Sequence, residues 1–185
     1  IVLATLAPEL ARTEPDPEIQ DLIRASGGPN VGLDYLSGAV NFDPAVDEVT
    51  ADFAACLVWF DALVSNVDRT ARNTNLLMWH RQPWLIDHGA SLTFHHAWDG
   101  AVADPGKPFA PIAEHVLLPR ADGLAQVDAE LAARLTPAVL QAIVATVPQD
   151  FLAQAGVEGR AYTDYFQARL ADRGRWLQGA IDARG

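Results

Sequence analysis

Lysine is almost missing from this chain: of 185 residues only Lys107 carries an ammonium, and 24 acidic residues stand against 13 basic ones for a formal net charge of −11. A surface of that sign repels the phosphates of DNA and RNA, which excludes nucleic acid as the main ligand. Cysteine is reduced to Cys56, which rules out a disulfide framework and a cysteine metal site, and its place inside an apolar helical pattern assigns it to the core. No apolar run approaches the roughly 18 residues that cross a bilayer, and Ile1 to Leu6 has no basic residues before it as a secretory signal would, so a cytoplasmic protein without a membrane partner is expected. Methionine occurs only at Met78 and the chain begins at Ile1, from which a processed or truncated product is expected. Internal repeats and low-complexity segments are also lacking.

What is present is the balance of a globular domain, half apolar and a fifth charged. Ile1 to Leu6 reads as a strand or connector ended by Pro8, and residues 14–26, with proline and acids in front and Gly27-Gly28 behind, read as a short helix. Gly28 to Pro44 is rich in Gly, Asn and Pro and reads as a structured loop, with one turn at Asp34-Tyr35-Leu36. From Asp43-Pro44 the apolar residues Val46, Val49, Phe53, Leu57, Phe60 and Val64 recur at steps of three or four, which predicts an amphipathic helix over 45–65 with that stripe buried. Asn75 to Trp79 and Trp84 to Ile86, separated by His80-Arg81-Gln82-Pro83, predict a β-hairpin. A loop-rich stretch to about residue 124 precedes helical patterns at 126–135, 137–147 and 160–182, with Thr136-Pro137 as cap and first turn of the second. The fold class expected is α+β, mainly helical, with a small β element in its middle.

Chemistry concentrates between Asp61 and Gly89, where a helix leads into a polar loop with an acid, an amide side chain, a hairpin and a second acid before glycine. Phosphoryl transfer by kinases needs such a set: a carboxylate near the acceptor hydroxyl, and an Asn and an Asp whose oxygens hold Mg²⁺ against the phosphates. Asn73 lies five residues after Asp68, the spacing of the kinase catalytic Asp and metal-binding Asn. Asn75, which immediately precedes the strand as the metal-binding Asn does in most kinases, is the other candidate for that ligand and the one favoured. Asp87-His88-Gly89 stands where kinases carry Asp-Phe-Gly, at the return of the hairpin.

Asn66-Val67-Asp68-Arg69, followed by Asn73-Thr74-Asn75-Leu76-Leu77 and by Ile86-Asp87-His88-Gly89, resembles the HipA-like kinases of bacteria and, more loosely, the lipid-kinase pattern. The motif covers about residues 59–98, and a looser likeness takes in Glu14 to Gly38 and the helices after 125. Thr70 departs from the pattern, standing where relatives often carry His. The resemblance implies a protein-kinase-like C-lobe over residues 1–185: a connector at 1–8 from a missing N-terminal lobe, a catalytic core at 45–98 and a helical part at 125–183. It implies transfer of the γ-phosphoryl group of ATP, with Mg²⁺ as cofactor, to a Ser or Thr hydroxyl of a protein substrate. Asp68 would orient the hydroxyl or accept its proton, and Arg69 would brace the loop or the acceptor region. Asn73 or Asn75 would hold Mg²⁺ with Asp87, while Asn66 and Asp87 would face the nucleotide.

Each of these residues also has a plainer reading. Asp68-Arg69 is an ordinary surface turn in many chains, Asp87-His88-Gly89 a common strand ending, and Asn66 a residue that hydrogen-bonds loop backbone. Asp61 either anchors the loop or lies on the exposed side of its helix. His80, His88, His95 and His96 lack the spacing of a zinc site, the five tryptophans suit packing better than base stacking, and Gly27 to Gly32 is a weak phosphate cradle because it follows a helix and has no lysine. Kinases grip the ATP phosphates with a lysine and a glycine-rich loop, and no lysine precedes Asp68. The expectation is therefore a C-lobe whose smaller lobe is absent; the alternative is a non-catalytic nucleotide-binding or regulatory module.

Overall fold

A computed structural model of the chain describes residues 1–92 and 104–185, apart from the side chains of residues 154 and 155. His95 and His96, and the far end of the expected catalytic core, lie outside the described residues. The fold is α+β and mainly helical, and it divides into two units, Ile1–Ala39 and Val40–Gly185.

In the first unit strand β1 (Val2–Leu6) pairs antiparallel with β2 (Gly28–Gly32), Val2 opposite Gly32 and Leu6 opposite Gly28. Between them come a 3₁₀ segment (Pro8–Thr13) and helix α1 (Pro17–Ala25). The Asp16 carboxylate accepts from the Glu18 amide at 2.8 Å, with Pro17 in the first turn, so the start signal in the sequence has its usual cause. The loop expected from Gly28 onward is a strand over its first five residues. Its composition conceals this, because the pairing is dictated by β1: a Cβ at Gly32 would stand 2.9 Å from the Val2 side chain, so glycine is what lets the strands close. The turn foreseen at Asp34–Leu36 falls instead at Ser37-Gly38, closed by the Ala39 amide on the Leu36 carbonyl at 3.0 Å.

The second unit is built round helix α2 (Ala51–Val64). It starts six residues later than the periodicity predicts. The Asp47 carboxylate accepts from the Asp43 amide and the Asp43 carboxylate from the Ala45 amide, and the Arg120 guanidinium takes the Pro44 and Asp47 carbonyls, which removes them from any helical ladder. Thr50 then caps the helix through the Phe53 amide at 3.1 Å. The buried face also differs from the expected stripe. Val46 and Phe60 are exposed, while Ala54, Ala55, Leu57, Val58, Trp59, Ala62 and Leu63 are buried. Small alanines let neighbours approach from several sides, so α2 is a central rod rather than an amphipathic surface helix.

Strand β3 (Val40–Asn41), β4 (Leu76–Trp79) and β5 (Gln82–Leu85) form an antiparallel sheet in that order, with Leu76 opposite Leu85. The expected hairpin is present, and its two-residue turn, His80-Arg81, has φ of 49° and 63°, the left-handed pair that matches strand twist.

The remaining helices are α3 (Leu124–Arg134), α4 (Pro137–Ala145), α5 (Gln149–Ala155), α6 (Gly159–Ala171) and α7 (Arg173–Arg184). Thr136 caps α4 as expected, accepting from the Val139 amide. The single helix expected over 160–182 is broken at Asp172, whose ψ of 23° leaves the helical range. The break brings Trp176 back onto the preceding helix, where its indole donates to the Arg169 carbonyl at 2.9 Å. Trp176 packs edge-on against Trp59, centroids 5.5 Å apart, and the Trp59 indole and Arg173 share the Asp128 carboxylate, both at 2.9 Å. Cys56, expected in the core, is half-buried; burial, then the nearby Glu130 and Asp52 carboxylates, push its thiol pKa up.

Arg169 is the other anchor of this unit. Fully buried, it donates to the Leu63 and Ala62 carbonyls at 2.7 and 2.6 Å, two of the carbonyls that the end of α2 leaves without helical partners. Its third arm reaches the Pro105 carbonyl at 2.5 Å. Replacing Arg169 by Met should cost about 3 kcal/mol or more, because buried acceptors lose charged donors. Arg169→Lys should rescue little of it, since an ammonium lacks the planar fork that serves several carbonyls. Urea unfolding of both variants measures this.

Candidate active site

An acid on the last turn of a buried helix has to be neutralised where it sits. Asp61 is fully buried, and three side chains converge on it: Arg69 Nε at 2.5 Å and His115 Nε2 at 3.0 Å on one oxygen, and Asn66 Nδ2 at 3.1 Å on the other. His115 Nδ1 accepts from the Leu117 amide at 3.0 Å, which assigns the ring proton to Nε2 and lets neutral histidine donate to Asp61. Burial alone would raise the Asp61 pKa; the His115 hydrogen bond, then the charge and hydrogen bond of Arg69, outweigh it and hold the carboxyl below its ordinary value. Of the two readings the sequence allowed for Asp61, the anchor is the one observed, although it holds side chains rather than loop amides.

Arg69 carries the anchor outward. It is buried, with Nη1 on the Asn75 carbonyl at 2.5 Å and Nη2 3.4 Å from His88 Nδ1. Its place is that of a brace, behind the loop surface. Burial, followed by the Arg69 charge, holds the His88 pKa below its usual value. The Arg69 carbonyl accepts from the Val116 amide at 3.0 Å, and Thr70 bridges to His115, so the loop is tied to the 115–116 segment on its other side.

On this frame Asp68 is half-buried. Its amide is held by Asn66 Oδ1 at 3.1 Å. Asn66, read from sequence as a nucleotide contact, is buried with both ends of its side chain engaged inside the loop, the plainer of its two readings. Asp68 Oδ2 accepts from Asn73 Nδ2 at 2.9 Å and Asn75 Nδ2 at 3.2 Å, and Asn75 Nδ2 also reaches the Asp68 carbonyl at 2.7 Å. The structure thus gathers both candidate amides onto one carboxylate. Asn73 is exposed, whereas Asn75 is buried and left-handed at φ 46°.

The second acid arrives by the hairpin. The Ile86 amide donates to the Asn75 carbonyl at 3.1 Å, the acceptor that Arg69 also uses, so the residue before Asp87 is fastened to the Asp68 loop. Asp87 is exposed, and its carboxylate accepts from the Gly89 amide at 3.2 Å. The following residues run back along the start of the loop, with Val67 N on the Ala90 carbonyl and Leu92 N on the Val64 carbonyl at 2.8 Å. Ser65, Asn75, Asp87 and Leu92 all have φ between 46° and 55°. Left-handed non-glycine residues cost energy and persist where surrounding structure holds them, a concentration common at functional sites.

Among the described residues no group of three or more His, Cys, Asp or Glu is arranged to hold a metal ion. The candidate set here is of another kind, two carboxylates with amide oxygens. Hard oxygens of this type fit Mg²⁺, which keeps several waters and needs one or two carboxylates. His115 and Arg169 were not singled out by sequence reasoning; neither belongs to a motif, and their partners lie tens of residues away. Comparison with protein-family models, curated proteins and solved structures finds no match.

The Asp61 cluster makes an acid-stability prediction. Because its folded pKa is depressed, its stabilisation is fully present above the unfolded carboxyl value near ~3.9 and is lost as pH falls toward the folded value. Asp61→Asn should cost about 3–5 kcal/mol near pH 7, since it leaves the Arg69 charge buried and unpaired. The gap in urea midpoint between variant and parent should stay level from neutral pH to about 5 and narrow below about 4.

Proposed function

We propose that this chain is the catalytic-loop lobe of an ATP-dependent phosphotransferase of the HipA-like type, acting on a Ser or Thr hydroxyl. The observation that supports it best is the Asp68 carboxylate, held at 2.9 and 3.2 Å by the amides of Asn73 and Asn75, on a loop fastened through the Asn75 carbonyl to the residue before Asp87.

In this reading Asp68 receives or orients the proton of the acceptor hydroxyl as its oxygen bonds to the γ-phosphorus and the bond to the leaving ADP oxygen breaks. Asn73 and Asn75 keep one Asp68 oxygen in place, leaving the other turned to the acceptor. When bound, Mg²⁺ supplies the positive charge that offsets the phosphate oxygens, and Asp87 with an amide oxygen of Asn73 or Asn75 would hold it. Arg69 and Asp61 position the loop without touching the reacting atoms. No lysine precedes Asp68, so the phosphate-gripping lysine of kinases has no counterpart ahead of the loop in these 185 residues.

Two substitutions separate the roles, tested in the full-length polypeptide with labelled ATP. Asp87→Asn should weaken Mg²⁺-dependent nucleotide binding and transfer together. Asp68→Asn should leave nucleotide affinity nearly unchanged while lowering the transfer rate by about 10²-fold or more, because its contribution falls in the transition state. Loss of binding with an unchanged rate per bound nucleotide in Asp68→Asn would make that residue a ligand and end the catalytic assignment.

A further inference from the structure

Beside the catalytic loop lies a hollow of about 440 Å³, open to solvent between Ser65-Val67 and the 104–111 segment, with α6 as its floor. It falls within the range of roughly 300–1,000 Å³ usual for ligand sites. Val67 at its edge is exposed and is the residue before Asp68, so the hollow begins one peptide unit, about 3.8 Å between Cα atoms, from the proposed base. Val67, Pro108, Phe109, Pro111 and Tyr165 make its walls apolar.

Among the described residues its lining carries more cations than acids. Arg169 at the floor is buried, gives hydrogen bonds to backbone carbonyls and to the Tyr165 side chain, and has no carboxylate partner among the described residues. Lys107 at the rim is exposed and makes no ion pair among the described residues. The one acid of the lining among the described residues, Asp104, is held by Arg175 at 3.1 and 3.4 Å, a guanidinium that also binds Asp172 at 2.8 Å. Among the described residues two cations therefore line the hollow against one carboxylate, on a chain of net charge −11.

We infer that this hollow selects the acceptor polypeptide, taking a large apolar side chain close to the phosphorylated hydroxyl with an adjacent carboxylate turned to Lys107. The inference rests on the phosphotransferase reading of Asp68 and adds the substrate class to it. Apolar walls reward burial of an aliphatic or aromatic group; Lys107, with the Arg169 charge beneath it, supplies the sign. The overall acidic field opposes any anionic peptide, so selection for one has to arise locally.

The test is an array of acetylated hexapeptides, each with one Ser, one Leu or Lys beside it, and one Asp or Lys next in line, probed with the 185-residue chain. Leu-Asp peptides should be retained about threefold or more over Leu-Lys peptides, the scale of an exposed charge pair. Lys107→Glu, a surface change that leaves the core intact, should reverse that preference. Equal retention of all peptides, or a preference unmoved by Lys107→Glu, overturns the inference. Labelled-phosphate transfer to the same array by the full-length polypeptide is scored separately: charge-reversible retention without transfer keeps the hollow as a peptide site and rejects the phosphotransferase reading instead.

Discussion

The buried pair of Asp61 and Arg69 is the interaction on which the candidate site depends. Two charges taken out of water are tolerated only where geometry and further hydrogen bonds offset the loss of hydration, and here each partner is satisfied in several directions. Asp61 gathers Arg69, His115 and Asn66; Arg69 passes the connection to the Asn75 carbonyl and to His88. Because Asp68 precedes Arg69 in the chain, fixing the guanidinium fixes the backbone that presents the carboxylate. A lysine at 69 would keep the charge and lose the fork that reaches three places at once.

How much of this was legible in sequence follows from distance along the chain. Asp68, Asn73, Asn75 and Asp87 are local, and their order across a hairpin was readable because turn and strand signals at His80 to Pro83 are short-range. The burial of Arg69 behind the loop has no local signal, because its partner Asp61 lies on the preceding helix. His115 meets Asp61 across 54 residues, and Arg169 meets Leu63 across 106; no spacing rule connects such pairs.

The misread elements have equally specific causes. The periodic signal of α2 comes from large apolar residues, yet its most deeply buried positions include Ala54, Ala55 and Ala62, whose small size carries little periodic signal. The early start at 45 was overridden by Arg120, a distant side chain holding the Pro44 and Asp47 carbonyls. Gly28 to Gly32 has the composition of a loop and becomes a strand only because β1 lies beside it. The break at Asp172 gives way to a tertiary demand, the seating of Trp176 against Arg169 and Trp59.

Arg169 gives the C-terminal helices a bearing on how this protein can be shortened. Its guanidinium closes the end of α2, Trp176 lies 5.1 Å from it in a cation–π contact, and the Trp176 indole bonds its carbonyl. A trimmed version ending before α7 would retain every motif residue from Asp61 to Gly89 and still lose the cover over the guanidinium that seals the end of α2. The minimal engineered fragment is therefore bounded by Trp176, far beyond the last residue that any motif would recommend.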